Sequence, residues 1–326
     1  STMTAVSGLN RPHGVAWHGD TLWIGNTDAV VIAWSTKHDG TLDGLHTVVD
    51  GLPSGGRHWT KTIHFPPPGA GQDGYFFLSM GSSCNVCEEH DPLRATISRW
   101  TLDGKPAGAT TLMNPTVARK LAHNGGRYAS AIWAYGLRNS VDFGWEPQSG
   151  AIWATHNGGD MLGGDTQAVT DTTPPEEIVN IIQKGGYYGW PYCYDRGLVN
   201  PIQHGGTPAL CKQQIAPALT DSAHSAPLGM AFYTGTQFPP LYRGNEFIAE
   251  HGSWNRSKPV GYRVIRVIVS NGKPMGFEPF ITGWRTAGGK PWGRPAGIAV
   301  GPKGTLYISD DMGGRIYAVR WAGEAK

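Results

Sequence analysis

One phrase returns five times along this chain. A short strand opens near glycine, a polar turn follows, and a second strand ends near Gly, Asp or His. It reads GVAWHGDTLWIG at 14–25, TIHFPPPGAGQDGYFFLSMG at 62–81 and SVDFGWEPQSGAIWATHNGGD at 140–160. It returns as GMAFYTGTQFPPLYRGNEFIAEHG at 229–252 and GIAVGPKGTLYISDD at 297–311. A short-strand unit recurring every ~40–50 residues marks a β-propeller, in which each unit is one blade of three or four antiparallel strands. The period inside the phrase is strand-like: Ile298 and Val300 alternate with small residues, as do Leu306 and Ile308. Pro302, Lys303 and Gly304 between them are turn residues.

Further strands are expected at 95–104, 261–272 and 315–321. The one short-helix candidate is PPEEIVNIIQKGG at 174–186, with proline at its start and glycine at its end. The long gaps near 104–132 and 185–225 are expected to be insertions or loops. A sixth blade would hide there or lie upstream of Ser1, because the chain enters its first repeat almost at once. We expect an N-terminal part to be absent. No signal peptide and no apolar run long enough to span a bilayer is visible. The expected fold is all-β, a single propeller domain over residues 1–326.

Composition agrees. Gly 47 and Pro 24 suit a turn-rich β-protein, and charged residues make up only 16%. The net charge of +2 carries no basic run, which argues against nucleic acid as a partner. Cys84 and Cys87 form a Cys-x-x-Cys, which can be redox-active, half a zinc site or a local disulfide. A zinc site needs four soft ligands, and no second pair supplies them. Two local disulfides, Cys84/Cys87 and Cys193/Cys211, are the favoured reading and imply an oxidising compartment, periplasmic or secreted. No His follows Cys87, so no c-type haem is attached there.

The motifs RHWTKTIHF (57–65), GSSCNVCEE (81–89), GLRN (136–139), WATHNGGD (153–160), GGYYGWPYC (185–193), HSAPLGMAFYTG (224–235), HGSWNR (251–256) and WGRPAGIAVGPKGTLYISDD (292–311) carry a likeness. As an ordered set from about residue 8 to residue 321, they resemble the soluble sugar dehydrogenases that use pyrroloquinoline quinone (PQQ). The branch they resemble is that of L-sorbosone dehydrogenase-like and pyranose dehydrogenases. The resemblance implies a six-bladed propeller whose first blade is missing or displaced here. It also implies PQQ and Ca²⁺ as cofactors, a sugar as substrate, and an external electron acceptor of cytochrome or quinone type.

It implies site residues as well. Such a reaction needs a base for the sugar hydroxyl proton, and His is suited to that task. Twelve His compete. His58 stands in a Gly-Gly-Arg-His loop before a strand, where the family places its general base. His123 in HNGG is a decoy, since it precedes GRYASAIW rather than the expected strand pair. Arg138 would stabilise charge developing on the quinone, with Asn139 beside it. Arg294 resembles the family's carboxylate-binding Arg, and Arg256 takes the place of a cation near PQQ. Arg57 and Lys61 flank His58, and Lys61, which the resemblance makes a cofactor-binding cation, stands where relatives commonly have Arg. His58 and Lys61 would point to opposite faces if the strand began that early.

Calcium takes oxygen ligands, including backbone carbonyls. The resemblance assigns Gly158 and Gly159 as carbonyl ligands, Asn157 as a PQQ contact and Asp160 as an outer ligand. His224 and His251 complete the rim, and Trp254 and Trp190 offer aromatic faces for a sugar or the cofactor ring. Two alternatives stay open: a calcium-dependent sugar lactonase, which needs converging carboxylates, and a non-catalytic propeller that binds glycan or protein.

Overall fold

A computed structural model describes residues 3–37, 39–123, 126–162 and 167–323. The chain divides into two compact units. The first comprises Ser1–Val141 with Gln183–Pro191 and Gln213–Ile215; the second comprises Asp142–Ile182, Tyr192–Lys212 and Ala216–Lys326.

The first unit holds two blade-like sheets. One is four-stranded and antiparallel: Gly14–His18, Thr21–Gly25, Val30–Trp34 and Gly44–Val49. The other runs Lys61–His64, Tyr75–Met80, Thr96–Thr101 and Ile132–Tyr135, with Gly186–Tyr187 added in parallel at its edge. Glycine opens the first repeat for a packing reason. A Cβ on Gly14 or on Gly25 would lie 2.5 Å from the Lys61 carbonyl oxygen, so the adjoining strand leaves no room for a side chain. Aromatic rings fill the core: Trp23 meets Phe65 at 5.3 Å and Phe76 at 5.2 Å, and Phe76 stacks on Trp100 at 6.4 Å. Burying each such ring contributes roughly 1.5–3 kcal/mol.

The second unit holds three blade-like sheets. The first of them contains Phe143–Trp145, Ile152–His156, Glu176–Ile182 and Leu219–Asp221. The next contains Pro227–Phe232, Glu246–Glu250, Arg263–Ser270 and Lys273–Ile281. The last contains Pro295–Val300, Leu306–Asp310 and Arg315–Val319. Trp153, Ile178, Ile248 and Ile265 centre one buried cluster; Tyr233, Phe247, Leu306 and Ile308 centre another.

The fold is all-β, with five propeller-type blades among the described residues. Each of the five repeats supplies the first two strands of one sheet. The long gaps hold no sixth blade of three or more strands among the described residues. The gap near 104–132 holds the helix Pro115–His123, which the apolar pattern did not reveal. Its start was nonetheless encoded: Asn114 Oδ1 accepts from the amides of Thr116 at 3.1 Å and Val117 at 3.0 Å, an N-cap before proline. The gap near 185–225 holds a two-stranded ribbon, the helix Pro208–Cys211 and the Cys193–Cys211 disulfide. No helix of the described residues is long and apolar enough to cross a membrane.

One expectation is corrected. PPEEIVNIIQKGG is not a helix; Glu176–Ile182 is a strand between Ile152–His156 and Leu219–Asp221. Its β-branched Ile178, Val179, Ile181 and Ile182 favour the pleated surface, and neighbours on both edges satisfy the backbone. Proline and glycine at its ends bound a strand as readily as a helix.

Candidate functional site

In the first unit the predicted residues His58, Arg138 and Asn139 meet around Gly81 and Ser82. The strand begins at Lys61, so His58 stands in the loop before it. That loop lies against the segment after Met80: the Arg57 amide donates to the Ser83 carbonyl at 2.9 Å and the His58 amide to the Ser82 carbonyl at 3.3 Å. A Cβ on Gly81 would sit 2.3 Å from His58 Cβ and 2.6 Å from Asn139 Oδ1, so only glycine lets the two side chains approach from either side.

The His58 ring is oriented through one nitrogen. Its Nδ1 is 2.8 Å from Ser82 Oγ and 3.1 Å from the Ser82 carbonyl oxygen. Nε2 engages no partner among the described residues. Burial, and then the nearby Arg138 charge, lower His58 from 6.5 to about 3, so the ring is neutral at neutral pH.

Arg138 is buried, 4% exposed. Its Nε donates to the Asn85 carbonyl at 2.8 Å and its Nη2 to Asn85 Oδ1 at 2.9 Å. Trp190 is also buried and donates from Nε1 to the same carbonyl at 3.2 Å. Asn85 lies inside the loop closed by the Cys84–Cys87 disulfide. Glu89 ties that loop down, accepting from the Ser83 amide at 2.6 Å and the Ser83 hydroxyl at 2.7 Å. Cys84, Cys87 and Glu89 are the one metal-competent grouping among the described residues, and with both sulfurs in a disulfide it offers no thiolate. Both expected disulfides are present.

Lys61 sits elsewhere. It is fully buried and donates to the carbonyls of Pro53 and Trp59, each at 3.0 Å. Burial lowers it to about 7. Its ammonium shapes the loop that carries His58.

In the second unit, residues 157–160 follow the strand Ile152–His156. Asn157 donates from Nδ2 to the Pro227 carbonyl at 2.8 Å, and the Gly158 amide donates to Glu176 Oε2 at 3.0 Å. A Cβ on Gly158 would press to 2.8 Å from Pro174 Cγ. The carbonyls of Gly158 and Gly159 accept no hydrogen bond among the described residues. Asp160 Oδ1 lies 3.3 Å from Asn255 Nδ2 and 3.5 Å from Nδ1 of the buried His224. These are open hard-oxygen donors beside a carboxylate, the donor chemistry that suits calcium.

Arg294 spends Nε on the His251 carbonyl at 3.1 Å and Nη2 on the Gly252 carbonyl at 2.5 Å, leaving Nη1 unengaged among the described residues. Arg256 likewise spends Nε on the Lys258 carbonyl at 3.2 Å and Nη1 on the Ala223 carbonyl at 3.0 Å, leaving Nη2. Each guanidinium is thus fixed by backbone and keeps an arm for an anion. Trp254 is 69% exposed on the same turn as Arg256. His251 pairs with Asp311 at 2.9 Å. Two of the carboxylates that a lactonase could use, Glu250 and Asp310, are engaged elsewhere. Glu250 Oε2 accepts from Arg263 at 2.6 Å, and Asp310 Oδ1 caps the amides of Arg294 at 2.8 Å and Gly313 at 2.7 Å.

Sequence reasoning missed Ser82 and Asn85, although both lie in the quoted motif GSSCNVCEE. It missed too the buried pair His156 Nδ1 and Glu177 Oε2 at 2.6 Å.

A family model described as TrAA12-like matches residues 1–322. An uncharacterized protein of Borreliella burgdorferi is 36% identical over 191 residues, covering 58% of this chain and 48% of that one. A pyrroloquinoline quinone-dependent pyranose dehydrogenase of Coprinopsis cinerea is 25% identical over 338 residues, covering 89% of this chain and 43% of that one. The chain therefore spans just under half the length of these relatives. Among solved structures, the calcium structure of Trichoderma reesei Carbohydrate-Active Enzymes Family AA12 matches with a TM-score of 0.76. It is 24% identical, over 98% of this chain and 82% of that chain. The holo form of the pyranose dehydrogenase PQQ domain from C. cinerea matches with a TM-score of 0.74 and 22% identity, over 95% and 81%. Both likenesses are of fold.

Proposed function

The chain belongs to the TrAA12-like family, and from that premise we propose that it is a PQQ-dependent oxidoreductase acting on an aldose or related sugar. The relative of C. cinerea, named for that cofactor and a pyranose, supports the class. The observation that carries the reading is His58, a neutral imidazole with Nε2 unengaged, next to the buried Arg138 cation.

His58 Nε2 would take the proton of the sugar hydroxyl as the carbon–hydrogen bond breaks, a role that contributes typically 10²–10⁴-fold. PQQ, when bound, would supply an ortho-quinone as the hydride acceptor. Arg138 would stabilise negative charge on the dione, its position fixed in advance by Asn85. Asn139 would contact the cofactor beside it. The unengaged arms of Arg294 and Arg256 would each hold a carboxylate, and Asn157 and Trp254 would contact the cofactor from the same unit. The Gly158 and Gly159 carbonyls, with Asp160, would hold calcium. We assign Lys61 to loop support rather than direct contact, on its two carbonyl bonds. Electrons would leave to an external cytochrome or quinone-type acceptor. Two disulfides favour a periplasmic or secreted setting.

The test is reconstitution with PQQ and calcium, followed by dye reduction with a panel of aldoses. Turnover with at least one aldose that requires PQQ supports the reading. A lactonase or a binding module would give none.

A further inference from the structure

Three polar contacts around His58 are compatible with only one placement of protons. Ser82 Oγ lies 2.7 Å from the Cys84 carbonyl, and a carbonyl can only accept, so the Ser82 hydroxyl donates there. The Ser82 carbonyl lies 3.1 Å from His58 Nδ1 and likewise can only accept. Ser82 Oγ, with its hydrogen committed, faces Nδ1 at 2.8 Å through a lone pair. All three contacts are satisfied when Nδ1 carries the imidazole proton, and two of them turn repulsive when it does not. In a neutral ring the other nitrogen is then the acceptor.

We infer that Ser82 is a positioning residue, whose hydroxyl, anchored on the Cys84 carbonyl of the disulfide-closed loop, helps to keep the His58 proton on Nδ1 and leaves Nε2 with a bare lone pair. The role of His58 as base rests on the function proposed above; the protonation site does not. The anchor is itself restrained. Cys84 is closed onto Cys87 by the disulfide, and the adjacent Asn85 carbonyl receives both Arg138 Nε at 2.8 Å and Trp190 Nε1 at 3.2 Å. One short loop therefore sets the base through Ser82 and the cation through Asn85. An orienting partner of this kind fixes both the tautomer and the direction of an imidazole.

The test has a readout that needs no cofactor. Protein with ¹⁵N-labelled histidine is studied at neutral pH by long-range ¹H–¹⁵N correlation, with the His58 signals assigned through His58→Gln. Wild type is expected to show Nδ1 protonated and Nε2 bare. Ser82→Ala loses the 2.8 Å hydroxyl contact and keeps only the 3.1 Å carbonyl contact, so it is expected to raise the Nε2-protonated fraction, and Ser82→Thr, which keeps the hydroxyl, to restore the wild-type pattern. Opening the loop with Cys84→Ser plus Cys87→Ser should loosen the tautomer as Ser82→Ala does. Wild type protonated on Nε2 overturns the inference, as does a Ser82→Ala spectrum identical to wild type. If the chain also oxidises sugars, Ser82→Ala should lower kcat in proportion to the loss of the Nδ1-protonated fraction with little change in KM, and Ser82→Thr should recover most of it. The expected spectra in a protein without sugar oxidation would refute the proposed function and leave the role of Ser82 standing.

Discussion

Arg138 binds Asn85 twice, from Nε to the carbonyl at 2.8 Å and from Nη2 to the side chain at 2.9 Å. A buried guanidinium held this way cannot swing toward a ligand, so it is either in place or useless. Lysine cannot reproduce the forked contact. Arg138→Lys and Arg138→Ala are therefore both expected to lower kcat/KM by the equivalent of about 1.5–3 kcal/mol, the range of a charge-assisted bond. Arg294→Ala should instead weaken PQQ binding with less effect on turnover at saturation. Stopped-flow reduction and equilibrium titration separate the two; equal effects in both variants would remove the distinction.

His58→Gln keeps size and polarity but supplies no base. Turnover should fall on the order of 10²–10⁴-fold while PQQ still binds. The pH profile carries a further expectation. His58 works unprotonated, and its titration is lowered from 6.5 to about 3 by burial and by Arg138. The acid limb attributable to this group should lie between those values, moving toward 6.5 as an anionic ligand offsets the Arg138 charge. An acid limb above 6.5 in kcat/KM that vanishes in His58→Gln would contradict this ordering.

Chelation by EGTA should abolish both PQQ binding and activity, and calcium should restore them. The donors proposed are carbonyl and carboxylate oxygens at Gly158, Gly159 and Asp160, so zinc should restore little. Calorimetry of PQQ binding with and without calcium checks the coupling. An affinity independent of calcium would remove the metal from this loop.

Glu246 is a fully buried acid in the strand Glu246–Glu250, and neither oxygen has a hydrogen-bond partner among the described residues. Burial first, and then the Asp142 charge, raise its titration well above 4.5. The folded state thus favours the protonated form. Its contribution to stability is complete below 4.5 and is lost as pH rises through the folded value. Glu246→Gln should stabilise the protein by roughly 1–3 kcal/mol at neutral pH and flatten that part of the pH dependence. Denaturant melts of both proteins at acid and neutral pH test this; an equal difference at both would show that Glu246 does not titrate.

The sheets were legible because their strand pairs repeat. Each repeat carries its turn residues and a glycine, and Gly14 and Gly25 are glycine because the Lys61 backbone passes 2.5 Å from where a Cβ would be. The strand Glu176–Ile182 was misread because proline and glycine punctuate both kinds of element, while the β-branched content that decides the matter was outweighed. His58 was a candidate in the sequence through its loop before a strand and the family resemblance together. Its partner was not, because Ser82 is 24 residues away and arrives through pairing of residues 57–58 with 82–83. Lys61 resembled a cofactor cation in sequence, yet its distance to the Pro53 and Trp59 carbonyls depends on how the loop folds back, which no local pattern encodes.

The most direct measurement of the central claim is a single turnover without any electron acceptor. Protein loaded with PQQ and calcium is mixed anaerobically with an aldose, and the cofactor absorbance is followed. The account predicts reduction of one bound PQQ per chain in wild type, slowed by 10²-fold or more in His58→Gln. Bound PQQ that no aldose reduces, or equal rates in the two proteins, would contradict it.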